Sequence, residues 1–219
     1  MPQRSPPSGT ASPPTGSPSA PGRRACSRAT WPANCPKRVG FCALRPSPRS
    51  RENALRWPSP SPDATRAAGR CLAAVVGEGC VIALFGPLGA GKTAFVKGLA
   101  DGLGVDPLQV ASPSFVIAAE YPASRGRRLA HVDCYRLDGA AALDHAGFQD
   151  LLGPDSVVAV EWADRALGAL PADRLEIRID RSRDEAAQTQ RVLHAKGSGP
   201  ASREILARWS DALTGDQWP

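Results

Sequence analysis

Cys80-Val81-Ile82-Ala83-Leu84-Phe85-Gly86-Pro87-Leu88-Gly89-Ala90-Gly91-Lys92-Thr93 decides the fold class of this 219-residue chain. The first six residues form a short apolar run with the length and branching of a buried strand. The next eight fit GxxxxGK[ST] at every fixed position. Glycines at those places let consecutive backbone N–H groups curl around phosphate oxygens, and a following helix adds the positive end of its dipole. Lys92 is placed to reach the β- and γ-phosphates, and the Thr93 hydroxyl to bind Mg²⁺. An accidental match in a chain of this length has a chance of roughly one per cent from residue frequencies. A strand before the loop and a periodic helix over 93–103 after it lower that chance further.

Working outward, Ser61-Pro62-Asp63 reads as a helix start: a Ser N-cap, Pro at the first helical position and an acid in the first turn. Ala64, Ala67, Ala68, Cys71, Leu72, Val75 and Val76 then recur at helical spacing. Downstream, strands are expected at 115–120, 129–135, 157–162, 175–180 and 189–195, with helices near 139–152 and 201–213. Arg125 to Arg128 reads as a hairpin turn. This alternation behind a phosphate loop predicts an α/β domain of the P-loop NTPase type. Its sheet is mostly parallel, with helices on both faces and antiparallel hairpin strands added.

A phosphate loop needs an acid at a neighbouring strand end for the metal and the attacking water. Asp133 closes Leu129-Ala130-His131-Val132-Asp133, and Glu161 closes Val157-Val158-Ala159-Val160-Glu161. The second is the better candidate, because four apolar residues lead straight into the acid. Trp162, which follows it, reads as core filling, as a lid over the nucleotide cleft, or as a partner contact. His131, His145 and His194 are scattered without ligand spacing, and no zinc site is expected.

The whole-chain charge of +6 comes from 27 Lys+Arg against 21 Asp+Glu. Residues 1–62 hold ten of the basic residues and one acid, for +9, so the remainder is at −3. Fourteen of the 22 prolines also fall in that first stretch. Such a Pro/Ser/Arg-rich composition cannot bury enough apolar surface to offset chain entropy, so residues 1–60 are expected to be disordered and 61–219 to form the domain. A transit peptide, a basic arm for RNA and a start placed too far upstream all fit the tail. A mildly acidic domain has little reason to hold RNA strongly through its overall field. No apolar run is long enough to span a bilayer, and the first residues lack the apolar region of a secretory signal. Six cysteines without a CxxC pair fit a reducing compartment, and a cytoplasmic location is expected.

With the loop, Ser112-Pro113-Ser114-Phe115, His131-Val132-Asp133-Cys134-Tyr135-Arg136 and Glu161-Trp162 in this order, the chain resembles the TsaE (YjeE) family of bacterial ATPases. The resemblance covers about residues 60–195, and its specificity lies in the ordered set more than in any motif except the loop. It implies a small ATPase serving synthesis of threonylcarbamoyladenosine beside the tRNA anticodon. Such proteins act with TsaD, which transfers the threonylcarbamoyl group, and with TsaB; tRNA is met only indirectly, through that complex. Position by position, it implies that Gly89, Ala90, Gly91, Lys92, Thr93 and Ala94 hold the phosphates of ATP. Thr93 and Glu161 would coordinate Mg²⁺, and Asp133 would support the metal or water. Ser112 to Phe115 would form a switch-like loop, and Thr65 would lie near the nucleotide.

Three positions depart from the family pattern. Pro87 stands for an acidic residue, Ser114 keeps the hydroxyl of a Thr, and Ala94 lacks one that a second Thr would offer the α-phosphate. The Ala94 change is worth about one hydrogen bond, ~0.5–1.5 kcal/mol. Two other classes of function fit a phosphate loop: a small kinase for a nucleoside or metabolite, and a docking protein that binds nucleotide without hydrolysis. A kinase of this size usually carries an Arg-rich lid, and only Arg125 to Arg128 is Arg-dense here.

Overall fold

The computed structural model describes residues 54–77, 79–182 and 189–214. Seven strands are formed: β1 (Ala54–Ser59), β2 (Cys80–Phe85), β3 (Ala118–Pro122), β4 (Arg128–Asp133), β5 (Ser156–Glu161), β6 (Leu175–Arg181) and β7 (Arg191–Gly197). The helices are α1 (Pro62–Val75), α2 (Lys92–Gly102), α3 (Ala140–His145), α4 (Phe148–Leu151) and α5 (Pro200–Thr214). All seven strands join one sheet in the order β1-β7-β6-β2-β5-β4-β3. The four central strands run parallel, while β3, β7 and β1 add antiparallel edges.

The central strands β2 and β5 are buried along their whole length, as their unbroken apolar runs require. Alternation sends Ile82, Leu84, Val157 and Ala159 to one face, where α1, α2 and α5 cover them. Val81, Ala83, Val158 and Val160 face the other side, under α3 and α4. Trp209 of α5 closes the first layer: it is fully buried, donates its indole N–H to Ala68 O at 3.0 Å and meets Phe95 edge-on at 5.8 Å. The two helices flanking the phosphate loop approach so closely that a Cβ on Gly98 would lie 1.8 Å from Arg66 O. No side chain fits there, so this glycine sets the α1–α2 distance.

The helix start at Ser61 is formed as the sequence indicates, with Ser61 Oγ accepting from the Ala64 N–H at 3.1 Å. The folded region, however, begins earlier than residue 61. Ala54-Leu55-Arg56-Trp57-Pro58-Ser59 alternates exposed and buried positions and pairs antiparallel with β7. Its proline and arginine give it the composition of the tail, but a proline is tolerated on an edge strand. The expected disorder of residues 1–53 falls outside the described residues. The single helix expected near 139–152 is two short ones, because Gly147 adopts φ 82° between them. The strand expected from residue 115 begins at Ala118, since Phe115 and Val116 stand in an exposed turn.

The N-terminus of α5 is held from a distance. Asp173 accepts from the backbone N–H groups of Ala201 at 2.8 Å and Ser202 at 3.0 Å. Burial pushes this carboxyl upward, but the Ser202 side chain and backbone and the Ala201 N–H outweigh that and leave it below its ordinary value. A lowered folded-state value means stabilisation that is present above the unfolded value and lost as pH falls through the folded one. Asp173→Ala is expected to cost about 1 kcal/mol at neutral pH. Urea melts of wild type and variant should converge as the pH drops below about 4.

Candidate functional site

The carboxyl ends of β2, β4 and β5 lie side by side, which brings Gly86, Asp133 and Glu161 to one edge of the sheet. A cavity of about 510 Å³ opens there. Its wall takes in the phosphate loop from Leu88 to Ala94, the loop residues Ser112, Ser114 and Phe115, and Asp133, Tyr135, Arg136, Glu161 and Trp162. The expected residues Gly89, Ala90, Gly91, Lys92, Thr93, Ala94, Asp133, Glu161 and Trp162 are thus brought together. Thr65 stands apart. It is buried behind the loop, its hydroxyl shared with Ser59 Oγ at 2.7 Å, and its methyl lies where a Cβ on Gly91 would meet it at 3.7 Å. That makes Thr65 a support for the loop and not part of the cavity wall.

The loop conformation depends on glycine at two points above all. Gly86 has φ 135° and passes so close to β6 that a Cβ would sit 2.3 Å from Ile179 O. Gly91, with φ 107°, caps α2 and offers no side chain to its first turn. The first N–H groups of α2, ahead of Phe95 whose N–H goes to Gly91 O at 2.9 Å, therefore have no internal acceptor. Within Gly89 to Gly91 only Ala90 returns its N–H to the backbone, to Pro87 O at 3.1 Å. Open donors at a helix N-terminus make an anion cradle. The outward carbonyls of the same loop are braced by two arginines from the β6–β7 hairpin. Arg181 donates to Leu88 O at 2.8 Å, and Arg191 to Ala90 O at 2.9 Å and Gly89 O at 3.2 Å.

Lys92 is only 4 % exposed and donates Nζ–H to Gly86 O at 2.7 Å and Pro87 O at 3.1 Å. Its ammonium also sits 3.7 Å above the centre of the Trp162 ring. Burial lowers its basicity, and the charges of Glu161, Asp133 and Asp164 work in the opposite direction. Trp162 has φ 57°, and its ring meets Tyr135 at 4.9 Å while also packing on the second core layer. Trp162 thus packs on the core and lines the cavity. Arg136 lies over Phe115 at 4.0 Å, so the Tyr135-Arg136 pair orders the strand end and the Ser112–Phe115 loop together.

Asp133 is the hub of that loop. Its Oδ2 accepts from the hydroxyls of Ser112 and Ser114, and its Oδ1 accepts the Tyr135 N–H at 2.8 Å. Glu161 is 3 % exposed and bonds His131 Nε2 through Oε1 at 2.9 Å. Thr93, Glu161 and Asp133 all line this cavity and carry only oxygen donors, the donor chemistry that suits Mg²⁺ and not a softer metal. Cys134, next to Asp133, is no nucleophile: burial first, then Asp133, pushes its thiol up to about 12.

Arg128, in the Arg-dense hairpin, begins β4, whereas Asp133 ends it, so the two are roughly 16 Å apart along the strand. Arg128 is bound to Glu120 at 2.7 Å and Ser156 at 2.7 Å, far from the phosphate loop. Arg128 therefore lies at the end of β4 opposite Asp133. Arg181 and Arg191, and the contact of His131 with Glu161, are not signalled by any local motif. The first two gave no signal, because their contacts span about ninety to a hundred residues. His131 was legible in principle, since it precedes Asp133 by two and shares its strand face.

The family model described as "Threonylcarbamoyl adenosine biosynthesis protein TsaE" matches residues 59–192. A Streptomyces coelicolor protein named tRNA threonylcarbamoyladenosine biosynthesis protein TsaE is 40% identical over 148 residues, covering 67% of this chain and 95% of the relative. The Bacillus subtilis protein of the same name is 38% identical over 131 residues, 60% of this chain and 80% of its own. The crystal structure of Bacillus subtilis YdiB superposes with a TM-score of 0.56 at 34% identity, covering 72% of this chain and 94% of that one. The matched span begins at the last residue of β1 and runs into β7, enclosing the phosphate loop, both strand-end acids and the loop between them. The chain belongs to the TsaE family.

Proposed function

We propose that the chain is a Mg²⁺-dependent ATPase acting with TsaD and TsaB in the cytoplasm, where its turnover permits repeated threonylcarbamoyl transfer to tRNA. The observation that carries this reading is the convergence of the phosphate loop, Thr93 and two strand-end carboxylates on one cavity. The open N–H groups of the loop donate to phosphate oxygens. Lys92 exchanges the carbonyls of Gly86 and Pro87 for charged phosphate oxygens, which are stronger acceptors. Thr93 and Glu161 would hold a Mg²⁺ ion beside the phosphates, and that ion would supply charge neutralisation for transfer of the γ-phosphoryl group to water. Glu161 orients the attacking water and takes its proton, while ADP departs with the β-phosphate oxygen. Asp133 couples this chemistry to the surface, because Ser112 and Ser114 tie it to a loop whose Phe115 is 82% exposed.

The same geometry disfavours the kinase, since the arginine-dense hairpin lies at the opposite end of β4. Phosphate release from ATP without an organic acceptor, rising on addition of TsaD and TsaB, is the expected result. Stoichiometric ADP accompanied by a phosphorylated metabolite would replace this reading with the kinase. Binding without phosphate release, even in the presence of both partners, would replace it with the docking protein.

A further inference from the structure

Parallel pairing of β4 and β5 sets His131 opposite Ala159, which makes Glu161 its diagonal neighbour on the same sheet face. His131 is fully buried, and its Nε2 lies 2.9 Å from Glu161 Oε1. No other side chain among the described residues hydrogen-bonds Glu161, which also lines the cavity. The second ring nitrogen of His131, Nδ1, is buried with no hydrogen-bond partner.

An imidazole kept merely to fill space makes little physical sense at this point. The neighbouring strand positions on this face are the apolar Leu129 and Ala159 on one side and the strand-end acids Asp133 and Glu161 on the other. A buried Nδ1 without a partner is destabilising, and what accompanies it is one hydrogen bond aimed at the strand-end acid. A carboxylate at the mouth of a cavity turns freely about its terminal torsion unless one oxygen is held. Groups that hold a metal-binding side chain from behind fix its orientation and basicity.

We propose that His131 is a positioning residue, donating Nε2–H to Glu161 Oε1 so that Oε2 is presented to the cation or its bound water. This rests on the reading of Glu161 as the carboxylate on the Mg²⁺ side. The donor, and not the ring, is the effective part. A glutamine at residue 131 places its amide N–H near the Nε2 position, whereas asparagine is too short and leucine has no donor.

The test uses the full chain with His131→Gln, His131→Asn and His131→Leu. Mn²⁺ binding is followed by electron paramagnetic resonance in the presence of a non-hydrolysable ATP analogue, beside Mg²⁺-dependent phosphate release and metal-free analogue affinity. Asn and Leu are expected to weaken Mn²⁺ binding about 10-fold or more and to lower kcat similarly, with metal-free analogue affinity unchanged. Gln is expected to stay near wild type. Wild-type Mn²⁺ affinity in the Asn or Leu variant would overturn the proposal, and so would a Gln variant that behaves like Leu. If the Leu variant does not fold, the Asn–Gln comparison separates the same two outcomes. Wild type that binds the analogue without any metal dependence would overturn the ATPase reading together with this inference. A normal wild type beside an unaffected Leu variant would remove the inference alone.

Discussion

Lys92→Ala is expected to abolish ATP turnover, with a loss of at least ~100-fold in kcat/KM. Three features set the size of this effect. Lys92 is the buried cation on the cavity wall that lies within the phosphate loop itself, and the rest of that loop offers only backbone dipoles. Its ammonium is already parted from water, so the cost of desolvating it does not fall on the binding step. Its present partners are the neutral carbonyls of Gly86 and Pro87 and the face of Trp162, all weaker acceptors than a triphosphate. Removing it also leaves Glu161 and Asp133 facing the phosphates without a compensating charge. Isothermal titration with ATP and a phosphate-release assay check both halves. Retention of wild-type affinity and rate would show that Lys92 does not meet the nucleotide.

Glu161→Gln is expected to leave nucleotide binding largely intact while suppressing hydrolysis by ~100-fold or more. The amide keeps the shape of the side chain, and its carbonyl oxygen still accepts from His131. What it loses is the charge that would hold Mg²⁺ and the basicity that would take the proton of water. Glu161→Ala should suppress hydrolysis as well, but it also strips His131 of its one side-chain hydrogen-bond partner among the described residues. A stability loss in the Ala variant, absent from the Gln variant, would separate the two consequences in a thermal melt. Hydrolysis at the wild-type rate in Glu161→Gln would move the catalytic carboxylate elsewhere, with Asp133 the next acid on the wall.

The phosphate loop and the strand-end acids were legible because their spacing is dictated by local backbone geometry. Gly86 and Gly91 are required by positive φ angles within one short loop, and the apolar run into Glu161 is the signature of a strand buried on both faces. β1 was not legible in the same way. Its Trp-Pro-Ser ending matches the tail in composition, and only pairing with β7, some 135 residues later, turns it into a strand. The break at Gly147 was obscured by apolar residues that keep helical spacing on both sides of it. Arg181 and Arg191 brace the loop from a hairpin distant in sequence, so no local pattern pointed to them. Thr65, which the resemblance places near the nucleotide, lies against Gly91 of the phosphate loop and shares its hydroxyl with Ser59.

The central claim is that hydrolysis by this chain sustains repeated tRNA modification. Threonylcarbamoyl transfer to tRNA is therefore measured with TsaD, TsaB and a threonylcarbamoyl donor, with wild type, Lys92→Ala, Glu161→Gln or no added chain. Product is expected to exceed one equivalent per TsaD only with wild type. Full multiple-turnover modification with Glu161→Gln, or with the chain left out, would contradict it.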